Sequence, residues 1–265
     1  MGSTAQFSRQ VIWITGAGTG IGAAMAREFA ARGGQVVLSG RRSEPLEAVA
    51  AQIADNGGQA LPMPVDVTDA AALDTTAARI IDECGHLDVA VANAGMGVTG
   101  AFPDITPEQW RRQMDVNVLG AVFTLRAAWP HVVERKGRFA VTGSVSGVIA
   151  TPKTSPYTAS KFAIRGLALS LAQELAGSGA SITLLEPGFV ESEIARVDND
   201  GVYHPERPDP RPARLMWPTD RAGRVCVDAI WRRKREFVFT GHGKFAAFLG
   251  RHMPGLVHQV VTRFG

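Results

Sequence analysis

Cysteine is nearly absent from the chain: Cys84 and Cys226 stand far apart, with no C-x-x-C and no Cys/His ligand spacing. That excludes a disulfide framework and the familiar zinc spacings, and it suits reduced thiols in a cytoplasmic protein. A strong charge excess is missing as well. Lysine and arginine number 28 against 25 acids, and a balance of +3 gives no reason to expect nucleic acid as a partner. No uninterrupted apolar run approaches the ~18 residues of a membrane span, and the opening MGSTAQFSRQ lacks the apolar centre of a signal peptide. The expectation is a soluble, cytoplasmic protein that does not depend on, and is not expected to make, membrane contact. Hydrophobic residues at 45% and charged ones at 20% argue against disorder, and 265 residues suit one α/β domain, 1–265.

Two further absences carry chemical information. The first strand, Gln10 to Thr15, runs into Gly16-Ala17-Gly18-Thr19-Gly20-Ile21-Gly22 and then an alanine-rich helix, Ala23 to Ala31. No lysine follows in the G-K-[ST] manner, so a nucleoside triphosphate loop is not indicated. Glycines in a strand-turn-helix context instead let the backbone approach a pyrophosphate closely, at a helix end that offers unpaired N–H groups. The second strand, Val36 to Ser39, ends without the Asp or Glu that would bind both ribose hydroxyls of NAD. Gly40-Arg41-Arg42 stands there. A guanidinium grips a 2′-phosphate with parallel hydrogen bonds, so Arg41, with Arg42 in support, points to NADP over NAD. Ser43 is expected to cap the next helix, Leu46 to Ala54, with Pro45 in its first turn.

Strand and helix then alternate. A third strand, Ala60 to Val65, leads into Asp66-Val67-Thr68-Asp69, where Asp66 can accept from an adenine amino group, and Asp66 or Thr68 can cap the helix Ala70 to Cys84. Leu87 to Ala92 is a fourth buried strand, ending in Asn93-Ala94-Gly95, whose small residues leave room for a flat ligand. In the helix Pro107 to Gly120, Trp110, Met114 and Val118 have the spacing of a core stripe, and Asn117 is its polar exception. A helix from Leu119 to His131, ended near Pro130, precedes a fifth strand, Gly137 to Thr142. That strand delivers Ser144 to the carboxyl edge of the sheet, where ligands of open α/β sheets bind.

Ser144 to Lys161, SVSGVIATPKTSPYTASK, holds the chemistry. Side chains four apart share a helix face about 6 Å apart along the axis, which sets the Lys161 ammonium beside the Tyr157 phenol. A free phenol has a pKa near ~10, and a cation a few ångströms away favours its ionised form. The expectation is a phenol moved towards neutrality, able to take a proton from an alcohol or return one to an alkoxide. A sixth strand, Ser181 to Glu186, ends in Pro187-Gly188-Phe189-Val190-Glu191-Ser192. The Pro-rich segment 195–218 is a candidate substrate lid, with Tyr203, His204, Met216 and Trp217 as candidate lining.

Taken in this order, Thr15-Gly16-x-x-x-Gly20-Ile21-Gly22, Asn93-Ala94-Gly95, Asn117, Ser144, Tyr157-x-x-x-Lys161 and Pro187-Gly188-x-Val190 resemble the short-chain dehydrogenase/reductase family, strongly over Gln10 to Ser192. The resemblance implies a doubly wound, mainly parallel, Rossmann-like sheet of seven strands with helices on both faces. It implies Tyr157 as acid/base, Lys161 lowering its pKa and binding the nicotinamide ribose, and Ser144 on the substrate oxygen. Asn117 would help hold a water leading from Lys161 to solvent, and Val190 would meet the nicotinamide carboxamide. The remaining cofactor positions would be Gly16, Thr19, Gly20, Ile21 and Gly22 in the loop, then Arg41, Asp66, Val67, Asn93, Gly95, Pro187, Gly188 and Ser192. Ser192 stands where the family often has Thr, and Thr19 where NADP-preferring members often have a basic residue, so cofactor choice rests on Arg41.

The reaction implied is interconversion of a secondary alcohol and a carbonyl with NADP(H) on a small molecule, and the apolar and aromatic residues of Phe189 to Trp217 suggest a hydrophobic or cyclic one. A non-catalytic dinucleotide-binding module, an NAD-dependent dehydrogenase and an epimerase or dehydratase on the same scaffold stay open as alternatives. The family resemblance favours a homodimer or homotetramer. After a helix at Asp220 to Arg232 and a strand at Glu236 to Thr240, the tail 241–265 is basic and amphipathic. Its Phe245, Phe248, Leu249, Leu256, Val257, Val260, Val261 and Phe264 recur at helical spacing, and Arg232 to Arg235, Lys244, Arg251 and Arg263 face little acid. The expectation is a docking or subunit-contact tail, with peripheral membrane contact by a basic amphipathic helix as the secondary reading.

Overall fold

The computed structural model describes residues 6–264, the side chain of Phe264 excepted. Residues 1–5 of the segment read for a leader, and the Phe264 side chain of the tail, lie outside that part. Short, mostly apolar runs form the strands, buried on both faces in the middle of the sheet and less so at its edges β3 and β7: β1 (Val11–Thr15), β2 (Gln35–Ser39), β3 (Gln59–Pro62), β4 (Val89–Ala92), β5 (Arg138–Thr142), β6 (Ser181–Pro187) and β7 (Glu236–Phe239). They make one sheet in the order β3-β2-β1-β4-β5-β6-β7. Every pairing is parallel, so "mainly parallel" becomes wholly parallel. Trp13 of β1 lies beside Val37 on one side and Ala90 on the other.

The helices are α1 (Gly20–Ala31), α2 (Ser43–Asp55), α3 (Ala70–Cys84), α4 (Pro107–Met114), α5 (Gly120–Glu134), α6 (Ser155–Glu174), α7 (Thr219–Trp231), α8 (Gly241–His252) and α9 (Pro254–Phe264). Strand periodicity divides the core. Ile12, Ile14, Val36 and Leu38 face Met25, Phe29, Leu46, Val227 and Ile230 of α1, α2 and α7. Val11, Trp13, Val37 and Phe139 face Leu73, Ile80, Ala128 and Ile164 of α3, α5 and α6. Strand order reverses between β1 and β4, and the crevice at their carboxyl ends is the ligand position of such sheets.

Several local expectations are corrected. Arg42, not Ser43, is the residue before α2, and it makes no side-chain cap. Asp69 caps α3 by accepting from the Ala72 N–H, whereas Asp66 accepts from the backbone and hydroxyl of Thr68 and shapes its own turn. α4 and α5 are joined through a π-helical turn, Asp115–Leu119, into one 28-residue helix that Pro130 does not end. Its composition would suffice to cross a membrane. The apolarity is used against the sheet, where Ala121, Leu125, Ala128 and Val132 are buried. In α4 and the π turn the buried positions are Gln113 and Asn117, while Trp110, Met114 and Val118 are only half-buried.

The tail also differs from its periodicity. α8 turns Gly243 and Ala247 inward and leaves Phe245 and Phe248 exposed. Arg251 is far from uncompensated: its guanidinium bonds Glu186, at 2.9 Å, and Glu236. Arg233 likewise donates to the carbonyls of Lys136, Gly137 and Gly179.

Candidate active site

The glycine loop between β1 and α1 is a close-packed cradle. A Cβ on Gly22 would fall 2.1 Å from the Gly16 carbonyl oxygen and 2.5 Å from the Asn93 amide nitrogen, so this position has no room for a side chain. Asn93 fixes the loop's far wall. Its Nδ2 donates to the carbonyls of Thr15 and Gly16, both at 3.1 Å, and its Oδ1 accepts from the Thr142 hydroxyl at 3.0 Å, tying the ends of β1, β4 and β5 together. Thr19 precedes α1 without capping it by a side chain, so the first N–H groups of the helix are left for an anion.

A cavity of about 500 Å³ runs from this loop along the carboxyl edge of the sheet. Arg41 lines one end, and Gly16, Thr19, Gly20 and Ile21 line the middle. Asn93 and Gly95 line its floor, and Ser144, Tyr157, Lys161, Pro187, Gly188, Val190 and Ser192 the other end. Asp66 and Val67 line an adjoining hollow of about 160 Å³, which shares Gly16, Thr19, Arg41 and Gly95 with the first. A long groove with a glycine cradle in the middle, cations at one end and a phenol at the other fits an extended dinucleotide. Gly22 supports the groove from beneath. Asn117 lies behind it: its Oδ1 accepts from the Met96 N–H at 2.9 Å, and its Nδ2 donates to Met96 O at 3.0 Å and to Ser160 Oγ at 3.1 Å. No bond joins Asn117 to Lys161 among the described residues. Gln113, which periodicity did not single out, does the same work one turn earlier, accepting from the Val98 N–H at 2.6 Å. Its only sequence signal is a second amide four positions before Asn117.

Tyr157, Lys161 and Ser144 are brought together as expected, but the electrostatics differ. Lys161 is buried, its Nζ donates to the Thr142 carbonyl at 2.9 Å, and it lies 5.6 Å from the centre of the Tyr157 ring. Burial lowers its own pKa to about 8. Burial of the Tyr157 phenol raises its pKa, and the hydrogen bond with the Ser144 hydroxyl and the charge of Arg211 offset that only in part. The expected downward shift by Lys161 is therefore corrected. Desolvation outweighs attraction here, and within the protein alone the phenol is a proton donor at neutral pH. Ser144 Oγ also accepts from the Ser146 N–H at 3.0 Å, which fixes its rotamer.

Three residues of the site were not legible beforehand. Arg211, from the 195–218 segment, donates to Val190 O at 3.0 Å and to Ser192 O and Oγ at 3.3 Å, while Asp209 balances its charge at 2.6 Å. His242 at the start of α8 accepts from the Phe189 N–H through Nε2 at 3.0 Å and stacks on the Phe189 ring. A Cβ on Gly188 would lie 2.5 Å from that Nε2 and 2.4 Å from Thr240 Oγ1, so the turn and α8 are in direct apposition. Burial lowers the His242 pKa, which keeps the ring neutral and able to accept. Glu193 reaches Arg42 at 3.0 Å. Of the four aromatic or apolar candidates in the segment, Tyr203 lines the cavity. Met216 does not, His204 turns to Asp198 at 2.8 Å, and Trp217 packs into the core.

Directly behind the Pro187–Val190 turn, Glu186 is completely buried, with Arg165 at 2.9 Å and Arg251 from α8. Burial, together with the neighbouring Glu236 carboxylate, pushes the Glu186 pKa up to about 7 against the pull of Arg165. Two arginines facing two carboxylates close the cluster, since Arg165 also pairs with Glu236. The turn thus stands on an ionic support shared by β6, β7, α6 and α8.

Residues 10–202 match the family model described as short chain dehydrogenase. The human protein "Dehydrogenase/reductase SDR family member 7" is 33% identical, over 98% of this chain and 79% of its own length. Meso-2,3-butanediol dehydrogenase of Serratia marcescens is 34% identical over 71% of this chain and 74% of its own. Among solved structures, a short chain dehydrogenase from Burkholderia cenocepacia J2315 in complex with NADP superposes with a TM-score of 0.78 at 26% identity, covering 90% of this chain and 99% of that one.

Proposed function

We propose that this chain, which belongs to the short-chain dehydrogenase/reductase family, is an NADP(H)-dependent oxidoreductase that interconverts a secondary alcohol and its ketone. One observation carries the reading: the phenol, the hydroxyl and the amine line the same cavity as the glycine cradle and Arg41. A nicotinamide bound there supplies or accepts the hydride. The chain's own residues do the rest. Ser144 holds the substrate oxygen, and Tyr157, protonated at rest, gives its proton to the oxygen as negative charge develops there. Lys161 binds the nicotinamide ribose, and its charge stabilises the phenolate that remains. Ile194 and Val197 also line the cavity, which favours a hydrophobic substrate. A panel of ketones and secondary alcohols, followed at the nicotinamide absorbance, tests the activity. Tight nucleotide binding with silence across the panel would leave only a binding module.

The nucleotide preference rests on Arg41, which is exposed and engaged by no other residue among those described. Arg41→Ala is expected to weaken NADPH about tenfold and leave NADH within about twofold, read as Kd by fluorescence titration. Equal losses for both nucleotides would contradict the assignment. The contact between α8 and the Pro187–Val190 turn gives a second expectation. His242→Ala deletes the acceptor of the Phe189 N–H and should raise the cofactor KM about fivefold while changing kcat little. A fall in kcat alone would place His242 in the chemical step instead.

A further inference from the structure

Glu193 follows Ser192 and opens the turn Glu193–Arg196, 151 positions along the chain from Arg42. Its carboxylate nonetheless reaches across: Oε2 stands 3.0 Å from the Arg42 guanidinium. Tyr203 completes the arrangement, with the Arg42 Cζ 5.2 Å from its ring centre. All four side chains line the same cavity. A guanidinium at the adenosine end is therefore already neutralised by an acid delivered from the reaction end, while its neighbour Arg41 has no such partner.

We infer that Glu193 sets the degree of nucleotide selectivity by competing with the 2′-phosphate of NADP for Arg42. The inference rests on the dinucleotide reading above. A 2′-phosphate carries close to two negative charges, so it must displace the carboxylate in order to engage Arg42. The 2′-hydroxyl of NAD carries none and is indifferent to Glu193. Discrimination of this kind comes from a built-in repulsion as much as from an attraction. Both side chains are partly exposed, 51% for Arg42 and 33% for Glu193, so the effect is moderate and screened by salt.

The experiment measures Kd for NADPH and for NADH on the full chain, as wild type, Glu193→Gln, Arg42→Ala and the double variant, at low and at high salt. Glu193→Gln keeps the shape and removes the charge. It is expected to tighten NADPH about fivefold at low salt and less at high salt, leaving NADH within about twofold. In the Arg42→Ala background the same change should have little effect on NADPH. An unchanged NADPH/NADH ratio in Glu193→Gln, with both nucleotides still bound, overturns this inference alone. An equal gain with and without Arg42 also overturns it, since the competition would not be for that guanidinium. Failure of the wild type to bind either nucleotide overturns it together with the dinucleotide reading.

Discussion

Tyr157→Phe is expected to lower kcat about a thousandfold or more, with the Kd for NADPH within about threefold of wild type. The substitution removes a single oxygen from a half-buried ring on α6 and leaves the packing intact. What is lost is the proton donor. Phenylalanine cannot protonate the oxygen as hydride arrives, and the Ser144 hydroxyl is far too weak an acid to substitute. The pH profile adds a sharper check. Burial holds the phenol up, so in the reduction direction activity should persist through neutral pH and decline only at alkaline values, where Tyr157 or Lys161 gives up its proton. A variant that loses nucleotide affinity in step with turnover would mean that the ring's role is structural. Stopped-flow hydride transfer, alongside nucleotide titration, separates these outcomes.

Lys161→Met should abolish turnover to a similar extent and at the same time make the protein no less stable at pH 7. The argument starts from the ammonium, buried and held by one carbonyl, with its pKa lowered from 10.5 to about 8. Between those values the unfolded chain holds a proton that the folded chain does not, so stability climbs as pH rises through this window. Below pH 8 the folded protein carries the full cost of the buried charge, roughly 3 kcal/mol. Methionine removes that cost and leaves the Thr142 carbonyl without its donor, an offset of about 1–3 kcal/mol. The expected result is a melting temperature equal to or above wild type at pH 7, and loss of the rise in wild-type stability between pH 8 and 10. A clear drop in melting temperature, with the alkaline rise intact, would show that Lys161 is not its source. Such a residue, costly to the fold and needed by the chemistry, is the form a stability–activity trade-off takes.

The strands and the cradle were legible because their physics is local. A strand buried on both faces must be apolar throughout, and a loop that brings Gly22 within 2.1 Å of a carbonyl must be glycine. Tyr157 and Lys161 could be paired from helical spacing alone. The π turn at Asp115–Leu119 could not, because what stabilises it is the bonding of Asn117 to Met96 and Ser160, residues 21 and 43 positions away. Pro130 reads as a helix end, since it removes a donor from the helix ladder, yet burial of Ala127, Ala128 and Val132 around it outweighs one lost bond. The sign of the Tyr157 shift is hidden from the sequence for a related reason: spacing reveals the neighbouring cation but says nothing of desolvation. Arg211 and Glu193 belong to a segment with no periodicity, and only the folded chain shows which walls they reach.

Arg251 and His242 make the carboxyl-terminal helices mechanically continuous with the place where hydride moves. A bulky fusion, an immobilising linker or a deletion that levers α8 outward would withdraw one prop from Glu186 and another from Phe189 in a single motion. Damage inflicted at the rim of the molecule would then register as a slack grip on the nicotinamide ring, in a chain that remains folded and still takes up the adenosine half of its nucleotide.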